Sequence, residues 1–211
     1  MAGALAGLYV ITDARRPPPA PVDRTVAAAL RGGARLVQYR DKSADAERRQ
    51  REAAGLVAQC RAAGARLIVN DDIALARAVD ADGVHLGRDD GDVAAARAAL
   101  GADRLIGVSC YADSERARAA AQAGADYLAF GSLYPSPTKP QSALAPLSIF
   151  RTVRAFTDCP LVAIGGINAG NIAEVTAAGA DAVAVVEAVS GASDAEAATV
   201  ELIARGFGPA T

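Results

Sequence analysis

Gly33-Ala-Arg, Gly64-Ala-Arg, Gly101-Ala-Asp, Gly124-Ala-Asp and Gly179-Ala-Asp each close an alanine-rich helical pattern and precede a short apolar run. Glycine adopts the left-handed backbone that ends a helix, so each copy reads as a helix-to-strand turn. The apolar runs cover residues 8–11, 36–38, 67–69, 84–86, 105–108, 127–130, 161–164 and 182–186. They alternate with helical patterns such as 46–62 and 146–156. Strands that are apolar throughout are buried on both faces, which calls for a parallel sheet covered by helices. Eight such units in 211 residues predict a single (β/α)8 TIM barrel domain over residues 1–211, rather than an open doubly wound sheet.

The composition narrows the function classes. A hydrophobic fraction of 52% and a charged fraction of 22% describe an ordinary globular chain. A net charge of −2 gives no electrostatic case for nucleic acid or an anionic membrane as partner. Cys60, Cys110 and Cys159 are odd in number and widely spaced, which argues against a disulfide framework or a zinc site and fits a reducing cytoplasm. The N-terminal residues carry neither a basic region nor a long apolar run, so no signal peptide or membrane span is expected. Only Lys42 and Lys139 are lysine among 22 basic residues, and both follow predicted strands.

In a barrel of this kind the active site lies where strands lead into helices. The unusual polar residues gather there. The second run ends in Gln38-Tyr-Arg40-Asp-Lys42, where alternation puts Gln38, Arg40 and Lys42 on one side of an extended chain. The third ends in Asn70-Asp71-Asp72, the fourth in His85-Leu-Gly-Arg-Asp89-Asp90 and the fifth in Ser109-Cys-Tyr111. The sixth leads into Gly131-Ser-Leu-Tyr-Pro-Ser136-Pro-Thr138-Lys139, whose hydroxyls, ammonium and stiffening prolines suit a phosphorylated ligand. The seventh ends in Gly165-Gly166, and the eighth passes through Val186-Glu187.

Two tasks emerge. Arg40, Lys42 and Lys139 bring more positive charge than one monophosphate needs, and Asp71 and Asp90 are placed to hold a hard cation. Cations together with Mg²⁺ suit a pyrophosphate, as substrate group or leaving group. Gly165-Gly166 and the turn after the eighth run offer backbone N–H groups to a monophosphate. Each signal has a simpler reading. Arg40 and Lys42 also fit a solvated charge run, and Asp71 a helix cap. Asp89 and Asp90 also fit a turn, and His85 a hydrogen-bonded core residue. Cys110 has no second histidine to activate it and is rejected as a nucleophile.

Taken together, Tyr9-Val-Ile-Thr-Asp13, Gln38-Tyr-Arg-Asp-Lys42, Asn70-Asp71, Asp82-Gly-Val-His-Leu-Gly87 with Asp90, Gly107-Val-Ser109, the 131–139 loop and Ile164-Gly-Gly-Ile167 resemble the thiamine phosphate synthase family. The resemblance implies a (β/α)8 transferase of thiamine biosynthesis. Its reaction joins hydroxymethylpyrimidine diphosphate to a (carboxy)thiazole phosphate and releases pyrophosphate, with Mg²⁺ as cofactor. It implies that Arg40, Lys42, Asn70 and Lys139 hold the diphosphate, and that Asp71 and Asp90 bind the metal. Gln38 and Ser109 contact the pyrimidine, while Ser136, Thr138, Gly166 and the backbone at Val186-Glu187 hold the thiazole phosphate. Arg40, Lys42, Lys139 and Ser109 are the catalytic candidates. The implied mechanism is dissociative and needs no general base.

Glu187 departs from the serine of many relatives. A carboxylate facing a phosphate would repel it, so the role requires a backbone contact with the Glu187 side chain turned away. The alternatives are a thiazole tautomerase of the sister branch, which has no diphosphate to ionise, and a non-catalytic phosphate-binding regulator. The pattern does not fix the oligomeric state.

Overall fold

A computed structural model describes residues 5–12, 21–135 and 143–208. Every apolar run forms a strand: β1 (Gly7–Ile11), β2 (Leu36–Tyr39), β3 (Arg66–Asn70), β4 (Gly83–Leu86), β5 (Leu105–Tyr111), β6 (Tyr127–Phe130), β7 (Leu161–Ile164) and β8 (Ala182–Val185). Between and after them lie α1 (Val22–Arg31), α2 (Ala46–Ala62), α3 (Ile73–Ala78), α4 (Val93–Leu100), α5 (Ser114–Gln122), α6 (Ser148–Arg154), α7 (Ile172–Ala177), the single-turn α8 (Glu187–Ser190) and α9 (Ala195–Phe207). The strands pair in parallel and in chain order, and β8 returns to β1 with Leu8 opposite Val183. The sheet is therefore closed, a TIM barrel with its helices outside.

Two strand ends differ from expectation. β5 runs on past Val108 to Tyr111, with an irregular register between Ser109 and Tyr111. β8 stops at Val185, because Val186 leaves the extended conformation to begin α8. The helix over 146–156 is shorter than the pattern, spanning Ser148–Arg154.

The glycine motifs do two jobs. Their glycines, from Gly33 to Gly179, all have positive φ, as the helix-ending turn requires. Two of the aspartates that follow, Asp126 and Asp181, close the bottom of the barrel. Asp126 N–H donates to Ile106 O at 2.8 Å, and its carboxylate accepts from Ile106 N–H at 2.7 Å. Asp181 makes the same pair with Leu161, and Asp82, outside the motif, makes it with Leu67. Each ring satisfies a backbone group at a strand start that would otherwise be lost to the core. Arg97 also grips the Asp126 carboxylate at 2.6 Å. Replacing Asp126 with alanine is expected to cost about 1–3 kcal/mol in urea unfolding, because it strands the Ile106 N–H; unchanged stability would contradict this account.

Strand alternation sorts the core into two layers. One set of residues, including Val37, Val69, Val84, Ile106 and Val183, faces the helices. The other points into the barrel, with Tyr9, Ile11, Leu36, Ile68, Tyr127 and Val162 among them. Following the inward set up each strand leads to polar residues: Gln38 above Leu36, Asn70 above Ile68, and Ser109 above Gly107. The same alternation that builds the core thus delivers the site.

Candidate active site

At the C-terminal ends of the strands the barrel opens into a cavity of about 360 Å³. Of the residues singled out from sequence, Gln38, Arg40, Asn70, Ser109, Gly166, Val186 and Glu187 line it. Lys42, Asp71 and Asp90 form a neighbouring charged cluster. Ser136, Thr138 and Lys139 lie outside the described residues.

Alternation persists beyond the end of β2. Gln38 and Arg40 face the cavity, and Arg40 N–H donates to Thr12 Oγ1 at 2.9 Å. Tyr39 and Asp41 face α2 instead: the Tyr39 hydroxyl donates to Glu52 at 2.8 Å, and Asp41 pairs with Arg48 at 2.6 Å. Arg40 therefore belongs to the cavity wall and not to a solvated charge run. Lys42 is half exposed and reaches the next loop, with Nζ 3.0 Å from Asp71 Oδ2.

The two candidate metal carboxylates are relieved of capping duty by their neighbours. Asp72, not Asp71, caps α3 by accepting from Leu75 N–H at 2.8 Å, and Arg49 braces it at 2.7 Å. Asp92 caps α4 through Ala95 N–H. Asp71 sits in the left-handed region (φ 64), which is costly for a residue with a side chain, and its N–H donates to His85 O at 2.8 Å. Asp90 Oδ2 accepts from Gly87 N–H at 3.0 Å.

Burial raises the Asp90 pKa first, and the adjacent Asp71 carboxylate, within hydrogen-bonding reach, raises it further. Gly87 N–H and Lys42 oppose this only in part. Two carboxylates thus share one ammonium and repel each other. Asp90→Asn is expected to remove that repulsion and raise the melting temperature of metal-free protein by a few degrees (~2–4 °C). A fall in melting temperature, read by calorimetry, would contradict it. Among the described residues no third acidic, histidine or cysteine side chain joins the pair.

On the opposite wall, the segment after β6 presses onto the turn after β7. Leu133 N–H donates to Ile164 O at 3.1 Å, and Tyr134 N–H to Gly165 O at 3.0 Å. A Cβ on Gly165 would lie 2.5 Å from Ser132 Cα, and one on Gly166 would lie 2.6 Å from Pro135 O. Both glycines also have positive φ, so no side chain fits either position. This docking sets Pro135, the last described residue before 136–142, beside the Gly165-Gly166 turn. The Glu187 side chain is exposed and curls back along α8, its Oε1 2.6 Å from where a Cβ of Gly191 would stand.

Sequence reasoning passed over the cavity floor. Gln38 Nε2 donates to the Tyr9 hydroxyl at 2.8 Å, and Tyr9 and Tyr127 hydroxyls meet at 3.0 Å. The Tyr127 hydroxyl is 3.0 Å from His85 Nδ1, and His85 Nε2 is 2.9 Å from Ser109 Oγ. His85 is thus the hydrogen-bonded residue expected. In the sequence Tyr9 opens a resemblance motif without a role of its own and Tyr127 falls in an apolar run; a tyrosine on the inward register of a small barrel is the signal that marks them. Tyr111 also lines the cavity, with positive φ (57) and Arg88 5.0 Å above its ring. Cys110 is fully buried, and burial pushes its thiol up to about 12, which bears out its rejection as a nucleophile.

The comparisons with known proteins agree with this geometry. The family model described as thiamine monophosphate synthase matches residues 8–189. A thiamine-phosphate synthase of Halorhodospira halophila is 58% identical over 201 residues, covering 95% of this chain and 94% of that protein. One of Chromobacterium violaceum is 55% identical over 207 residues, covering 96% of each. Among solved structures, thiamine phosphate pyrophosphorylase from Pyrococcus furiosus superposes with a TM-score of 0.85 at 38% identity, over 93% of both chains. With the family model spanning nearly the whole barrel and relatives this similar over nearly all of their length, the chain belongs to the thiamine monophosphate synthase family.

Proposed function

We infer that this chain is a transferase that joins an amino-hydroxymethylpyrimidine diphosphate to a thiazole phosphate, giving thiamine phosphate and pyrophosphate. The observation that carries the substrate assignment is the pairing of Arg40 and Asn70 in the cavity wall with the Lys42–Asp71–Asp90 cluster beside them. Cations and uncapped carboxylates side by side suit a diphosphate bound with a metal.

Asp71 and Asp90 would hold Mg²⁺. Magnesium takes one or two carboxylates and fills its remaining positions with water and phosphate oxygens, and a dication removes the repulsion between this pair. When bound, it neutralises charge on the departing pyrophosphate. Arg40, Asn70 and Lys42 orient the same group and share its charge as the C–O bond lengthens. Lys139, on the 131–139 loop, is the third proposed cation. Gln38 and Ser109 hold the pyrimidine ring, whose amino group stabilises the cation left behind. The thiazole nitrogen then attacks it, and no protein base is needed.

Gly166, the backbone at Val186-Glu187, and the hydroxyls of Ser136 and Thr138 would hold the thiazole phosphate. The position of the Glu187 side chain supports this, because its carboxylate lies back along α8 beside Gly191. The cysteines are free, which suits a reducing compartment and supports a cytoplasmic enzyme; among the described residues no helix is long and apolar enough to cross a membrane.

The test is an incubation of purified protein with both substrates, in Mg²⁺ and in chelator. Thiamine phosphate and pyrophosphate are expected in equal amounts and only with metal. Isomerisation of the thiazole phosphate without coupling would replace this reading with the tautomerase.

A further inference from the structure

The five side chains on the cavity floor form one continuous hydrogen-bonded chain, Gln38–Tyr9–Tyr127–His85–Ser109, contributed by β2, β1, β6, β4 and β5. Both ends open to the cavity, while Tyr9 and Tyr127 are buried beneath it. Burial holds both phenols well above their ordinary pKa, so each keeps its one proton to donate. Their packing is tight. Tyr127 stacks near His85 at a centroid distance of 5.5 Å and meets Tyr9 edge-on at 6.1 Å. Its ring occupies the space that a side chain at Gly107 would need, 1.9 Å from an ideal Cβ.

Proton bookkeeping along the chain gives it a direction. The Tyr9 oxygen already receives a proton from Gln38 Nε2. Its own proton then goes to Tyr127, Tyr127 donates to His85 Nδ1, and His85 Nε2–H donates to Ser109 Oγ. With the Gln38 amide presenting Nε2 to Tyr9, the reverse direction would have Tyr9 accept from both Gln38 and Tyr127, leaving its hydroxyl proton with no acceptor among the described residues. The direction therefore rests on that amide orientation. A buried unmatched donor is costly, so the forward direction is favoured.

We propose that Tyr9, Tyr127 and His85 are positioning residues that give this chain a single polarity, holding the His85 proton on Nε2 and leaving Ser109 to donate its own proton to a ring acceptor of the pyrimidine. At the other end, Gln38 spends an N–H on Tyr9 and keeps its carbonyl oxygen for a donor. An aminopyrimidine edge offers that complement, a ring nitrogen that accepts beside an exocyclic amine that donates. The ligand-directed half of this proposal rests on the pyrimidine assignment made above; the polarity of the chain does not.

His85 is the sole histidine of the sequence, so one imidazole reports the polarity. The experiment is ¹⁵N-detected NMR of the substrate-free protein, followed by kinetics of Tyr127→Phe. The expected spectrum has the proton on Nε2. In the variant the tautomer preference is lost, and KM for the pyrimidine diphosphate rises about threefold to tenfold while KM for the thiazole phosphate is unchanged. Tyr9→Phe, which severs the Gln38 end, is expected to raise the same KM and serves if Tyr127→Phe does not fold. A proton on Nδ1 in the wild type overturns the proposal, as does an unchanged pyrimidine KM in either folded variant. Because the spectrum is taken without substrate, it tests the polarity independently of the reaction.

Discussion

Asp71→Asn is expected to lower turnover by about a hundredfold or more while leaving the barrel folded. The substitution keeps the shape of the side chain and its left-handed backbone, which asparagine tolerates well. The α3 cap is untouched, because Asp72 makes it. What is lost is one of two proposed metal carboxylates and the partner of Lys42. The check is a Mg²⁺ titration of turnover beside a melting curve. Wild-type turnover, or a loss of activity fully matched by loss of folded protein, would sink the metal role of Asp71.

The second large effect belongs to Gly107. A methyl there would overlap the Tyr127 ring at 1.9 Å, and neither partner has room to yield. Tyr127 is fully buried and bonded on both sides, and Gly107 stands opposite it in the β5–β6 register. Gly107→Ala is expected to destabilise the protein by about 3 kcal/mol, at the upper end of overpacking effects. The surviving folded fraction should show the same weakened pyrimidine binding as Tyr127→Phe. Urea unfolding and steady-state kinetics read the two effects separately; near wild-type values in both would contradict the packing described.

The barrel was legible in the sequence because its determinants are local. Each Gly-Ala motif ends a helix, and each apolar run is buried on both faces wherever it falls in the sheet. Arg40 was legible for a similar reason, since alternation carries over from Gln38. Asp71 was not separable from Asp72 by sequence, because either aspartate suits a cap; the left-handed backbone at Asp71 decides between them. The bulge that turns Tyr111 into the cavity left no sequence signal. Tyr9 and Tyr127 stand 118 positions apart and meet only because the sheet closes, so inside apolar runs they looked like ordinary core. The 131–139 loop stood out in the sequence, yet only its first residues, docked on Gly165-Gly166, are described.

The rim formed by Arg40, Asn70, Lys42, Asp71 and Asp90 is the centre of the account, and pyrophosphate, the proposed leaving group, probes it alone. Calorimetric titration of the purified protein with pyrophosphate, in Mg²⁺ and in chelator, tests the rim most directly. The account predicts binding that requires Mg²⁺ and is abolished by Asp71→Asn. Equal binding with and without metal, or binding untouched by the substitution, would contradict it.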